Sequence, residues 1–511
     1  MTHANGESVV SVDWDSLWST QAKMLRPARV ASIVERFSGV PGVVGMHGGL
    51  PPADTFPVAS FHMDLAPIAG GGALAMAGPK DTVAAQQYCF SPNGYEPLRA
   101  KLHELTVAMQ RPPAPIQVTV TAGSTYALHV VLDLLLERGD PLLLEEYTYS
   151  HALEAQLMPK GYELLPVAID EEGLVPSALD ALLAARAATG ARMPRAVYTI
   201  PSGQNPTGAA MGPGRRAAVY EVCRRWGLVI VEDDAYSWLQ YPRGEGDVPG
   251  VDGLQPGLLS LDTDGRVIRL DTFSKLLGPG LRLGWMTAPP PFAARAALAI
   301  SASTLGPASV STVYMARLLD HWGASGLDSF VSELQRKYAR AAAAAHAAAG
   351  RHLDGLATWR RPTGGMFMWL KLVGLDDSME LLEAGPAAKV AVVPGSIFSV
   401  AAAAAAAGGG CGGAAARGAA ANGAAANNGC GNGHAGNGNG HAANGNGHAA
   451  NGGAAADAAR EPPCPYFRVS FVSVPEAEIE EGFARLGRAI RTIHAKHAAA
   501  SGAPAPAANG A

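Results

Sequence analysis

Between residues 117 and 286 short apolar runs alternate with stretches of helical periodicity, and polar clusters stand directly after the runs. Gln117–Thr121, Leu142–Leu144, Arg195–Ile200, Leu228–Val231, Val267–Leu270 and Leu281–Met286 read as strands. Ser124–Glu137 carries Leu128, Val131, Leu132 and Leu135 at helical spacing, and Arg215–Trp226 reads as an amphipathic helix. Strands separated by helices join as βαβ units in a mostly parallel or mixed sheet. Ligands bind such a sheet outside the carboxyl ends of its strands. The polar clusters fall at those ends.

At 511 residues the chain is long enough for two or three packed domains. One segment stands apart: residues 401–459 are almost only Ala, Gly, Asn and His. Without branched and aromatic residues to offset ordering entropy, they are expected to be disordered, like the tail 498–511. His434, His441 and His448 recur there in NGNGHAA repeats, but no acid or cysteine is interleaved with them, so the repeat reads as expansion rather than a metal site. The net charge of −5 gives no electrostatic footprint for nucleic acid or an anionic membrane. Cys89, Cys223, Cys411, Cys430 and Cys464 form no C-x-x-C pair, which fits a reducing compartment. No apolar run approaches the roughly 18 residues of a membrane span. Glu7, Asp13 and Asp15 precede the first arginine, Arg26, unlike an Arg-rich transit peptide, so a cytoplasmic location is expected.

Four clusters carry chemistry. In DTFSKLLGPGLRLG, Lys275 follows a strand, with Thr272, Ser274 and Arg282 beside it. A nucleophilic lysine needs burial or a cationic neighbour to shed its proton, and Arg282 also suits a phosphate. The bland alternative is a solvated lysine. In VIVEDDAYSWL, Asp233 and Tyr236 follow a strand, three residues apart, and can face one ligand; Asp234 suits a helix N-cap. In TIPSGQNPTG, Asn205–Pro206 reads as a turn whose amide can donate to a phenolate oxygen. In TAGSTYALHVV, Gly123 and Ser124 sit between a strand and a helix, which makes an anion site or an ordinary cap. Tyr149, after the next strand, offers a ring for stacking or for plain core packing. Phosphate cradle, ring stacker, amide, carboxylate, phenol, lysine and arginine together match what pyridoxal phosphate asks of a protein.

The motifs GGLPP (48–52), PSGQNPTG (201–208), VEDDAYSWLQY (231–241), DGRVIRLDTFSKLLGPGLRLGW (264–285), GGMFMWLK (364–371), PGSIF (394–398) and PYFRVSF (465–471) give a resemblance. From about residue 29 to 494 the chain resembles the fold-type-I, class-I/II aminotransferases, most of all the kynurenine/α-aminoadipate aminotransferases and fungal aromatic aminotransferases. The resemblance implies an α/β fold: a large domain with a mostly parallel central sheet flanked by helices, plus a smaller α+β domain. It divides the chain into a flexible N-terminal extension (1–28), an N-terminal segment contributing to the small domain and the active site (29–75), a large domain (76–320) and a small domain in two parts (321–400 and 460–497), interrupted by the insert.

It also implies roles. Lys275 would carry pyridoxal 5'-phosphate as a Schiff base, and Asp233 would hold the pyridine nitrogen. Asn205 and Tyr236 would bond the ring oxygen. Ser124, Thr125, Thr272, Ser274 and Arg282 would hold the phosphate, and Tyr149 would stack on the ring. Arg468 would clamp the substrate carboxylate. Arg29 and Tyr88 would touch substrate or cofactor, Tyr88 from the other subunit of a homodimer with shared active sites. The stretch from Tyr88 to Gly94 has one residue more than the family pattern. The expected reaction is ping-pong transfer of an amino group from 2-aminoadipate, kynurenine, an aromatic amino acid or glutamate to a 2-oxo acid such as 2-oxoglutarate. A lyase or 1-aminocyclopropane-carboxylate synthase-like enzyme is the alternative on the same fold. A regulator that binds the same cofactor ranks lower, because no basic helix pair precedes residue 29.

Overall fold

The computed structural model describes residues 12–29, 36, 40–41, 51–241 apart from 77, 90 and 92, 249–408 and 462–501. A hairpin, β1 (Phe61–Asp64) with β2 (Ala73–Met76), precedes the central sheet. That sheet holds β3 (Gln117–Thr121), β4 (Pro141–Glu145), β5 (Glu163–Val167), β8 (Ala196–Thr199), β9 (Val229–Asp233), β10 (Val267–Thr272) and β11 (Gly284–Ala288), with a small ladder of β6 (Ile169–Asp170) and β7 (Gly173–Leu174) beside it. Its order is β3-β11-β10-β9-β8-β4-β5, and only β11 runs against the rest.

Side chains of the central strands alternate between two cores, as the two-residue period of a strand requires. Leu142, Leu144, Tyr198, Val229 and Val231 pack with the helices Ser124–Leu135 and Pro290–Ser303. Leu143, Val197 and Ile230 pack with Pro176–Ala188 and Pro213–Arg225 on the other face. Burial on both faces explains why these strands read as continuous apolar runs.

A second sheet is antiparallel, in the order β12 (Ala357–Trp359), β13 (Phe367–Leu372), β15 (Tyr466–Ser470), β14 (Val393–Pro394). It packs on the helix Glu476–Ser501 and on the later part of Ser309–His352. The latter helix runs through residue 320, where the sequence reading sets a domain boundary, and breaks at Gly323.

Four expectations need correction. The N-terminal extension, expected to be flexible, is packed where it is described: Trp14, Trp18 and Ala22 are buried in the core of the large sheet, and Ser19 Oγ donates to Asp133 O at 2.6 Å. The tail, expected to be disordered from 498, is helical as far as Ser501, the end of the helix Glu476–Ser501. The strand read over Leu281–Met286 begins at Gly284, because Pro279–Leu281 forms a 3-10 turn and Arg282 takes a left-handed φ of 47°. The low-complexity segment, set to begin at 401, opens with a helix, Val400–Gly408. Val400 and Ala402 are buried, and the helix lies against β5 and the helical stretch 153–160. Alanine forms helix readily and buries without side-chain entropy loss, so an alanine run beside an apolar wall orders. Residues 409–459 of that segment lie outside the described residues.

Candidate active site

The parallel strands β3, β4, β8, β9 and β10 end at one rim of the sheet, and each delivers one group of the predicted site. After β3, Gly123 takes φ +87°, a conformation that favours glycine, and Ser124 and Thr125 begin the helix. Glycine, not serine, is thus the N-cap, and no side chain caps the first turn. Its amide groups and the helix dipole favour an anion. Arg282 leans over this turn: its Nη2 lies 3.0 Å from where a Cβ on Gly123 would sit. Thr272 Oγ1 donates to Ser274 Oγ at 2.9 Å, so both hydroxyls stand at the end of β10.

Lys275 is half-buried. Burial pushes its ammonium below the usual lysine range; Asp233 opposes this, and Arg468 and Arg282 add to it. Asp233 is buried at the end of β9. Tyr198 Oη donates to its Oδ2 at 2.8 Å, while Oδ1 is buried without a partner. Burial raises the carboxyl to about 6 against the pull of Tyr198; Asp234 raises it further and Lys275 lowers it. A buried carboxylate with one oxygen unmatched calls for a cationic N–H donor.

Asn205 and Tyr236 are buried side by side and hydrogen-bonded. Arg468 arrives from the second sheet, where the β13–β15 register sets it opposite Trp369. Its Nη1 donates to Asn205 Oδ1 at 2.7 Å, and its Cζ lies 4.3 Å from the ring centre of Phe367 and 4.8 Å from that of Phe398. Its Nε is buried without a partner, and burial lowers its pKa. Tyr149 is half-buried within electrostatic reach of Asp233, Arg282 and Arg468.

The fold therefore brings Ser124, Thr125, Tyr149, Asn205, Asp233, Tyr236, Thr272, Ser274, Lys275, Arg282 and Arg468 to one rim. Arg29 and Tyr88 are exposed in the single chain, and residues 30–35 and 42–50, which lie between Arg29 and the hairpin, are outside the described residues. Asp234 is not a helix cap: it is buried and accepts from Arg269 Nη1 at 2.7 Å.

Three contributors escaped the sequence reading. Tyr198 sits in an apolar run and carries no local signal. Glu145, fully buried, accepts from Thr199 Oγ1 at 2.7 Å and from Gln204 Nε2 at 2.9 Å, and so ties down the turn that bears Asn205. Arg269 joins Asp234 and Asp271 in a buried ion cluster. A lone arginine inside an apolar run was the available sign.

The profile of the family described as "Aminotransferase class I and II" matches residues 89–408. The mitochondrial kynurenine/alpha-aminoadipate aminotransferase of Bos taurus is 33% identical over 372 residues, which cover 70% of this chain and 84% of that protein. The crystal structure of aminotransferase Aro8 from Candida albicans has a TM-score of 0.75 at 24% identity, covering 94% of this chain and 98% of that one. LysN, the alpha-aminoadipate aminotransferase of Thermus thermophilus, solved with N-(5'-phosphopyridoxyl)-L-leucine, has a TM-score of 0.60 at 25% identity, covering 95% and 100%. A profile matched over more than half of the chain, and a relative matched over most of its own length, place this chain in the class I and II aminotransferase family, as a transaminase.

Proposed function

We propose that the chain uses pyridoxal 5'-phosphate, held through Lys275, to transfer the amino group of 2-aminoadipate, kynurenine, another aromatic amino acid or glutamate to a 2-oxo acid such as 2-oxoglutarate. The observation that carries the reading is the unmatched Oδ1 of Asp233 on the same rim as a desolvated lysine and an anion-favouring helix start. The donor set fits the cofactor. The first-turn amides, Ser124, Thr125, Ser274 and Arg282 suit its phosphate, Asp233 suits a pyridinium N–H, and Asn205 and Tyr236 suit a phenolate oxygen. Tyr149 is the stacking ring. When bound, pyridoxal phosphate takes up the amino group and draws electrons from the substrate's Cα.

The residues supply the rest. Arg468 pairs with the α-carboxylate as a planar fork, which orients Cα. Lys275 Nζ removes the proton from Cα in one half-reaction and returns it there in the other. Asp233 would offer a negative charge to the ring nitrogen through its unmatched Oδ1. The two half-reactions alternate, which gives ping-pong kinetics. Arg29 is the candidate for a distal carboxylate, and Tyr88 for a contribution from the second subunit of a homodimer. Large-domain (76–320) and split small-domain (321–400, 460–497) limits are proposed with it, since a rim closed by Arg468 from the second sheet suits a two-domain cleft. Cytoplasm is the proposed location. The bovine relative's name leaves an organelle open, and among the described residues no helix is long and apolar enough to cross a membrane.

Borohydride reduction of the purified protein followed by peptide mapping tests the reading. The reduced adduct is expected on Lys275, and Lys275→Ala is expected to fold yet lose transamination by at least about a thousandfold, as for loss of a principal acid–base group. An adduct on another lysine overturns it. A donor-by-acceptor activity matrix then fixes the substrates.

A further inference from the structure

Tyr198 has no role in the scheme above, yet it makes the side-chain hydrogen bond that holds Asp233. Its backbone on β8 is in register with Val231 on β9. That places its side chain on the same face as Asp233, two residues further along. The ring is fully buried among Leu144, Val231 and other residues of the core between sheet and helices. Its Oη donates to Asp233 Oδ2 at 2.8 Å, and Asp233 Oδ1 is left unmatched. One carboxylate oxygen is pinned from beneath and the other is presented to the rim.

We propose that Tyr198 is a positioning residue for the reaction: its hydroxyl fixes the orientation of Asp233 and favours its ionised form, so that Oδ1 meets the cofactor's ring nitrogen. This rests on the reading of Asp233 as the partner of that nitrogen.

Asp233 is faced by charged or titratable groups from several neighbouring elements. Tyr198 comes from β8, Glu145 from β4, Tyr149 from the turn after β4, Asp234 and Tyr236 from the turn after β9, and Lys275 from the turn after β10. Glu145 and Asp234 oppose a negative charge on Asp233, and so does burial. Lys275 and Tyr198 favour it. Of these two, Tyr198 alone is fixed within the core, because Lys275 is the group that moves protons. Burial and the charge of Asp233 hold the Tyr198 phenol well above its ordinary range, so it remains a donor at any working pH. Donation to a charged acceptor is worth more than to a neutral one, which makes the ionised carboxylate the favoured form.

The test is the affinity of cofactor-free protein for pyridoxal phosphate, read by quenching of protein fluorescence across pH 5 to 9. Tyr198→Phe keeps the ring and its packing and removes the hydroxyl. It is expected to weaken binding at neutral pH by about tenfold or more, the range for a lost hydrogen bond to a charged group. The acid-side fall in affinity is expected to move up by about one pH unit. Asp233→Ala is expected to lose affinity and to abolish that fall. Adding Tyr198→Phe to Asp233→Ala leaves no carboxylate to strand, and is expected to change affinity less than about twofold. Wild-type affinity and pH profile in Tyr198→Phe overturn the inference. So does an equal loss with or without Asp233, which makes Tyr198 a packing residue only. Wild-type affinity in Asp233→Ala instead overturns the underlying reading of Asp233.

Discussion

Asp233 carries the energetic tension of the site. Its carboxyl is raised from the ordinary 3.8 to about 6, chiefly by burial. A raised carboxyl stabilises the fold fully below the unfolded value and loses that contribution as pH rises through the folded one. In cofactor-free protein the window is therefore about 4 to 6, and the rise corresponds to about 3 kcal/mol as an order of magnitude. Asparagine at this position mimics the protonated form and does not titrate. Wild-type protein is thus expected to lose stability relative to Asp233→Asn between pH 4 and 7 in urea unfolding, with bound cofactor reducing the difference. A constant gap between the two proteins across that range would contradict it. Asp233, Lys275 and Asn205 were legible because a polar group directly after an apolar run has few reasons to be there except a ligand or a cap. Tyr198 was not, because a tyrosine inside an apolar run is also ordinary core. Only the three-dimensional register puts its hydroxyl under a carboxylate.

At the scale of elements, the site depends on how closely two backbones cross. The turn bearing Asn205 meets the approach to β13 at Gly203 and Gly365. A Cβ on Gly365, whose φ is +70°, would lie 3.0 Å from both the Cα and the O of Gly203. Backbone cannot yield as a side-chain tip does, and the left-handed conformation alone costs an alanine about 1–2 kcal/mol. Gly365→Ala is therefore expected to push β13 away from the rim, and β15 with it, since Trp369 and Arg468 are paired in register. The strand that moves carries the carboxylate clamp and no proposed cofactor ligand. Steady-state kinetics should show kcat/KM reduced by tens to about a hundredfold, the scale of an ångström-size misplacement. Cofactor affinity should change by no more than about twofold. A parallel loss of both would mean that the crossing supports the large sheet instead. The βαβ strands could be read from sequence because each is complete within a short window. The second sheet could not: β13 and β15 pair across the whole low-complexity segment, and β14 has two residues.

For the whole molecule, the question is where the grown segment ends and the folded chain begins. Composition sets its start at 401, but the helix Val400–Gly408 is part of the packed structure. Val400 N donates to Glu146 O at 3.0 Å, and Val400 and Ala402 are buried. Two deletions separate the alternatives. Replacing residues 409–461 with a Gly/Ser linker of about ten residues, which reaches about 16–19 Å as a coil, leaves the helix in place. Shortening a loop recovers about 0.6 kcal/mol of closure entropy per halving, so the melting temperature is expected to hold or rise slightly. Turnover should stay near the wild-type value. Replacing residues 401–461 with the same linker also removes Ala402 from its contacts and uncovers the wall formed by β5 and the stretch 153–160. That variant is expected to melt lower, by about 2 kcal/mol or more of lost apolar burial. Its effect on activity should be larger than its effect on cofactor affinity, because Phe398, beside Arg468, lies two residues before Val400. Equal melting of the two variants would make the helix as dispensable as its composition suggests. A loss of activity in the first variant would mean instead that residues 409–461 take part in closing the site.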